Sequence, residues 1–174
     1  LLEATDDPDV SVSATRIAWV PSASKARAAL DALPFKVQKD ADRLTVRTLL
    51  TGDLAALECS DYRINLKIRY PRNLPVTVMA EEGQTRISGS VGQANVEQTT
   101  GAITAADCTG PLVLTNKNGG IRVSGASGTV EASARYGDSF FERVSGTLTA
   151  TCVQGGTVLD KPGELEGVRT ATGL

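Results

Sequence analysis

The sequence predicts an all-β chain with one short helix: a two-sided β-solenoid of 18-residue coils, preceded by a mixed β/α segment that caps it. Three observations carry this prediction. Glycines stand at 83, 92, 101, 110, 119, 128, 137, 146 and 155, nine residues apart throughout. The second and fourth residues after each glycine, from Thr85/Ile87 through Ser139/Phe141 to Thr157/Leu159, are apolar at 15 of 18 positions. The first, third and fifth residues are apolar at only 5 of 27.

Alternation of this kind describes a strand with one buried face, because successive side chains on a strand point to opposite sides. Nine residues then make one strand of five or six residues and a turn. Glycine marks the turn because it takes positive φ without a Cβ penalty, as in Asn118-Gly119-Gly120. Consecutive hairpins rarely keep one loop length, whereas a coil of two such strands, stacked at about 4.8 Å per step, requires a fixed one. Residues 73–163 supply five coils. Hexapeptide helices also use 18 residues, but they mark every sixth position; marks at every ninth mean two sides. Calcium-binding nonapeptide rolls place Asp in each turn. The turns here read Thr-Thr-Gly, Cys-Thr-Gly, Lys-Asn-Gly, Ala-Ser-Gly and Arg-Tyr-Gly, so no metal or other cofactor is expected.

Residues 1–72 lack the repeat. Leu1–Thr5 and Val10–Trp19 read as strands around Asp6-Asp7-Pro8-Asp9. A helix is expected over 22–33, opened by Pro21 and Ser22, closed by Pro34, with an apolar face of Ala23, Ala26, Leu30 and Leu33. Phe35–Gln38 and Arg43–Leu49 read as a hairpin about Lys39-Asp40-Ala41-Asp42. Tyr62–Tyr70 alternates as a strand and leads through Pro71 and Pro75 into the first coil. A terminal coil exposes an apolar cross-section, so residues 1–72 are expected to pack on the solenoid as its cap. Residues 164–174 are expected as a C-terminal tail or second cap.

The segment Asn118-Gly-Gly-Ile-Arg-Val-Ser-Gly-Ala-Ser-Gly-Thr-Val-Glu-Ala-Ser133 resembles the repeats of the bacterial adhesin-domain family, Gly-rich β-solenoid domains of unassigned function. Tyr70-Pro71-Arg72-Asn73-Leu74-Pro75-Val76 resembles that family's approach to its repeats, and the likeness runs from about Val10 to Leu159. Tyr136-Gly137-Asp138-Ser139-Phe140-Phe141 departs from it in bulk. The resemblance implies a β-solenoid on secreted or envelope-anchored bacterial proteins, an extracytoplasmic location, and no agreed functional residues.

Composition narrows the chemistry. The 18 Lys+Arg nearly balance 20 Asp+Glu, which gives no electrostatic reason to expect nucleic acid or an anionic membrane as partner. No apolar run reaches 18 residues, and no signal peptide is visible. Histidine is absent, so the commonest metal ligand and general base is missing. Without it to activate a thiol, Cys59, Cys108 and Cys152 read as small packing residues, Cys108 and Cys152 near opposite edges of the two sheets; a Cys59–Cys108 disulfide is the alternative. The carboxylates Glu81/Glu82, Asp138/Glu142 and Asp6/Asp7/Asp9 read as solvated turn charges. Thr147, Thr149 and Thr151 form an outward row that Glu131 and Val113 interrupt in the neighbouring coils. No catalytic site is expected.

Phe140 and Val158 are outward, apolar and 18 residues apart, so they should stack on successive coils. Arg122 continues that column and Tyr136 lies in the adjoining turn. This group is the expected interaction patch, for a protein, a surface glycan or a second copy of the chain, or else it lies beneath the C-terminal segment or the cap. The expected function is a non-catalytic structural or adhesive module. The alternative is a scaffold that polymerises end to end, with a polysaccharide-acting β-helix enzyme a distant third.

Overall fold

The computed structural model describes residues 1–39, 44–48, 52–160 and 163–172. Its elements in chain order are β1 (Leu2–Thr5), β2 (Ser11–Trp19), α1 (Ala23–Asp31), β3 (Phe35–Lys39), β4 (Leu44–Thr48), β5 (Asp61–Pro71), β6 (Val76–Ser88), β7 (Ala94–Ala106) and β8 (Leu112–Asn118). They continue with β9 (Ile121–Ser124), β10 (Ser127–Tyr136), β11 (Ser139–Glu142), β12 (Ser145–Gln154), β13 (Thr157–Asp160) and β14 (Leu165–Thr172). The chain divides into two compact units, one of residues 1–11 and 68–174, the other of residues 12–67.

The larger unit is a β-solenoid with 18-residue coils. On its first side Val76, Ala94, Leu112, Val130 and Leu148 pair in succession, each 18 residues from the last and all parallel. On its second side Thr85, Ile103, Ile121, Ser139 and Thr157 do the same. The second and fourth residues after each glycine lie inside: 16 of the 18 are buried, and the two exceptions, Thr157 and Leu159, belong to the last coil. Phe141, at 0 %, is the bulkiest fully buried side chain, and its neighbour Phe140 is half-exposed, which fixes the register.

The first side carries a third inward position before the corner, where Ala80, Gln98, Asn116, Ala134 and Cys152 stack. Buried amides are tolerated there because they donate to corner carbonyls that the ladder leaves open. Gln98 Nε2 donates to Gly83 O at 2.7 Å and Thr100 O at 3.0 Å, and Asn116 Nδ2 to Gly101 O at 2.8 Å and Gly120 O at 3.1 Å. Cys152 Sγ donates to Gly137 O at 3.3 Å in the same way. At the opposite corner Ser90, Cys108, Ala126 and Val144 are buried in a second column. Cys108 and Cys152 thus sit at opposite edges of the core as packing residues. All three cysteines are free.

The glycine lattice has two physical origins. Gly83, Gly101, Gly119, Gly137 and Gly155, at one corner, hold φ between 110° and 145°. At the opposite corner Gly128 and Gly146 also hold positive φ, at 109° and 91°, but Gly92 and Gly110 do not. They are glycine because a Cβ there would collide with the backbone of the coil beneath. A further left-handed column, at Gly89, Asp107, Gly125 and Arg143 (φ 73°, 52°, 65° and 51°), falls outside the nine-residue lattice.

The ends of this unit differ from the sequence reading. β1 does not pair with β2; it lies parallel between β5 and β6, so Leu1–Thr5 belongs with the solenoid unit. Leu165–Thr172, expected as a tail or cap, is a strand parallel to β12 and makes a sixth rung on the first side, with Val168 opposite Leu148.

In the smaller unit β3 and β4 form the expected antiparallel hairpin; its turn at Asp40, Ala41 and Asp42 lies outside the described residues, as does Leu49. α1 starts after extended Ser22, whose carbonyl accepts from Lys25 N at 3.2 Å. Its buried face agrees with expectation at Leu33, which is inside, but differs elsewhere: Ala29 and Ala32 are buried, Ala23 is exposed, and Ala26 and Leu30 are only partly covered. The helix is rolled so that its smallest side chains pack against Leu54, Leu57, Ala18 and Ile64, which lets the backbones approach closely.

Candidate functional site

The short strands β9, β11 and β13 pair in parallel and share one outer face. Arg122, Phe140 and Val158 stack on it in one column, paired rung to rung as the 18-residue spacing requires. The Arg122 guanidinium lies 4.5 Å from the Phe140 ring centroid, a cation–π contact that covers one face of the ring. Val158, on the last rung of this side, is 49 % exposed. Tyr136, at the end of β10, is 41 % exposed, and the Arg135 guanidinium stands 5.4 Å from its ring. The four residues expected to form a patch therefore divide. Arg122, Phe140 and Val158 make one continuous column, and Tyr136 stands at the corner with a cation of its own.

The acidic residues beside the column are already engaged. Asp138 Oδ1 accepts from Gly156 N at 2.7 Å, and Glu142 Oε1 pairs with Arg143 Nη1 at 2.7 Å. Asp138 precedes β11 and Glu142 ends it, and each is held by a different partner. Asp6 is paired with Arg72 at 2.8 Å, and Asp7 Oδ1 accepts from Asp9 N at 3.0 Å, so the N-terminal acidic run is a turn. Among the described residues no group of His, Cys, Asp and Glu is placed to hold a metal ion.

The thiols in the solenoid are poorly suited to nucleophilic work. Burial pushes the Cys108 thiol above its ordinary pKa. Burial, and then the charge of Asp138, do the same to Cys152. Burial likewise raises the Tyr70 hydroxyl. Each of these groups is held in its neutral form.

One surface feature escaped the sequence reading. In the smaller unit Trp19 is 44 % exposed beside an open depression of about 490 Å³ lined by Ala18, Val20, Pro21, Glu58 and Ser60. Glu58 has φ 53° and pairs with Lys25 Nζ at 2.6 Å. A lone tryptophan at the end of an alternating strand carries no signal that its ring lies outside. No protein-family model matches the chain, and neither a curated protein nor a solved structure is significantly similar to it.

Proposed function

We propose that this chain is a non-catalytic β-solenoid module, adhesive or structural, of a bacterial envelope or extracellular protein, and that it acts through its surface. The observation that carries the reading is the Arg122–Phe140–Val158 column: an aromatic and an aliphatic group beside a cation, on one hydrogen-bonded sheet face. Such a face offers contact area at little ordering cost, because every strand beneath it is paired. The resemblance of Asn118–Ser133 to adhesin-domain repeats supports the bacterial and extracytoplasmic part of the proposal.

The test is saturable binding to immobilised bacterial surface polysaccharide, peptidoglycan and extracellular proteins, for the native chain and for Phe140→Ser with Arg122→Ser. Native binding that falls at least about tenfold in the variant, with the fold intact, supports the reading. Equal binding by both proteins, or conversion of the polysaccharide, defeats it.

A second reading, an end-to-end scaffold, has its own support. Of the exposed large apolar residues of the solenoid, Leu74 and Met79 lie in its first coil and Val153 and Val158 in its fifth, with Val168 on the rung after it, while Val91 and Tyr136 lie elsewhere. Fibres that lengthen with concentration would distinguish it.

A further inference from the structure

The second side of the solenoid separates its charges along the axis, although the chain as a whole is nearly neutral. Its outer face carries one unbroken column, Arg86, Thr104, Arg122, Phe140 and Val158, paired rung to rung in parallel. Three successive rungs, residues 84–88, 102–106 and 120–124, hold no carboxylate. The next two hold Asp138, Glu142 and Asp160, which flank Phe140 and Val158. Glu3, on the rung before Arg86, is paired with Arg69 at 3.2 Å. Arg86 and Arg122 are both exposed, and among the described residues neither forms an ion pair. They stand two rungs apart, about 9.6 Å. Beside them the face is floored by Ala102, Ala106, Gly120 and Ser124, side chains too short to wall a pocket.

We infer that this column binds the end of an acidic polysaccharide in which every second sugar carries a carboxylate. The inference rests on the surface-binding reading and names the ligand of that same face. Two rungs are close to the length of an extended disaccharide, so successive carboxylates meet Arg86 and Arg122. The neutral sugars fall on Thr104, whose hydroxyl can bond them, and on Phe140, which can pack against a ring's C–H face. Arginine suits the charged positions because its planar fork donates two parallel hydrogen bonds to one carboxylate. Arg122 is already restrained by the Phe140 ring, 4.5 Å from its guanidinium, which lowers the ordering cost of binding. A third carboxylate, on the Val158 rung, would meet Asp160, so the chain ends in a neutral sugar over Phe140. Other polymers fit less well. A nucleic-acid strand carries a charge about every 3.4 Å, too dense for two cations followed by carboxylates. A peptide needs pockets for its side chains, and the short residues of the floor supply none.

The experiment is isothermal titration calorimetry of the intact chain with a tetrasaccharide of alternating glucuronate and N-acetylglucosamine. The same tetrasaccharide with its carboxyls reduced to alcohols is the control, and melts of each variant confirm folding. The acidic form should bind at least about tenfold more tightly than the reduced one. Arg86→Gln, which leaves the Phe140 contact untouched, should weaken the acidic form about five- to tenfold and leave the reduced form unchanged. Phe140→Ser should weaken both. Equal binding of the two forms, lost in Phe140→Ser, overturns the acid selection and leaves the surface reading standing. Failure to bind either form overturns this inference, and the wider set of immobilised ligands then judges the surface reading separately. An Arg86→Gln variant that binds the acidic form as the native chain does, or tighter binding of oligoglutamate or single-stranded DNA, overturns it as well.

Discussion

Replacing Gly119 and Gly125 by the same residue, asparagine, separates two kinds of turn that look alike in sequence. At Gly119 φ is 139°, and a Cβ would overlap the carbonyl oxygen of Gly101 and lie 2.7 Å from its carbon. That atom is backbone of the neighbouring coil and cannot rotate away. The coil spacing cannot widen either, because Gly119 N donates to Tyr136 O at 2.6 Å on the other side. Asparagine here must adopt a conformation that costs about 1–3 kcal/mol. It must also disturb one or two ladder hydrogen bonds worth about 0.5–1.5 kcal/mol each, so the expected loss is about 3–4 kcal/mol. At Gly125 φ is 65°, and the equivalent positions one coil either way are already occupied by Asp107 and Arg143 at 52° and 51°. A Cβ there would meet Asp107 Oδ1 at 2.5 Å, the tip of a side chain that can turn aside. Asparagine, which tolerates the left-handed region, should cost under about 1 kcal/mol at this site. Urea titration followed by circular dichroism reads the difference, provided that the slopes stay equal. Equal losses at the two sites would refute the argument that inter-coil crowding, and not positive φ alone, demands glycine.

Three further outcomes follow from the geometry. Phe141→Ala empties the largest buried side chain of the core and should cost about 3–5 kcal/mol, against about 1 kcal/mol for Phe140→Ala; thermal melts that ranked them the other way would overturn the register. Melting should be unchanged, within a degree or so, by calcium or by EDTA, since the turns lack the oxygen ligands calcium requires; a shift of several degrees would mean that they hold a site. Cys108 and Cys152 have raised folded-state pKa values, so the stability they contribute is fully present below the ordinary thiol value of 9.0 and is lost as pH rises through the folded values. Tyr70 adds to this above 10.0. Melts should therefore lose ground above about pH 9, and Cys108→Ala should lessen that loss.

Much of the solenoid was legible because its rules are local. Period-two burial places Ile103, Leu112, Val123 and Phe141 inside without knowledge of the fold, and an 18-residue coil follows from nine-residue glycine spacing once hairpins are set aside. What was hidden depends on neighbours distant in sequence. The left-handed column through Gly89, Asp107, Gly125 and Arg143 leaves no compositional trace, since two of its four members are not glycine. The roll of α1 was misplaced because an alanine-rich helix has no bulky stripe to fix its face, and contacts with Leu54 and Ile64 decide it. β14 was unreadable as a rung because the glycine lattice stops before it and an irregularity shifts its register. Of the candidate surface, the Arg122–Phe140–Val158 column could be deduced from spacing alone. The stacking of the guanidinium on the ring could not, because it depends on rotamers.

The uniform parallel ladder also has a mechanical meaning. Every coil of the solenoid is held by parallel rows of hydrogen bonds to the one before, and β14 is the last described rung. A pull on the C-terminal strand would load those bonds one rung at a time, as in opening a zipper, and not all together. Each rung released would free 18 residues, about 60 Å of extended chain, at a force set by a single inter-coil ladder. A module built in this way should yield in repeated steps under tension, the part furthest from the load keeping its surface in place while the loaded end gives way.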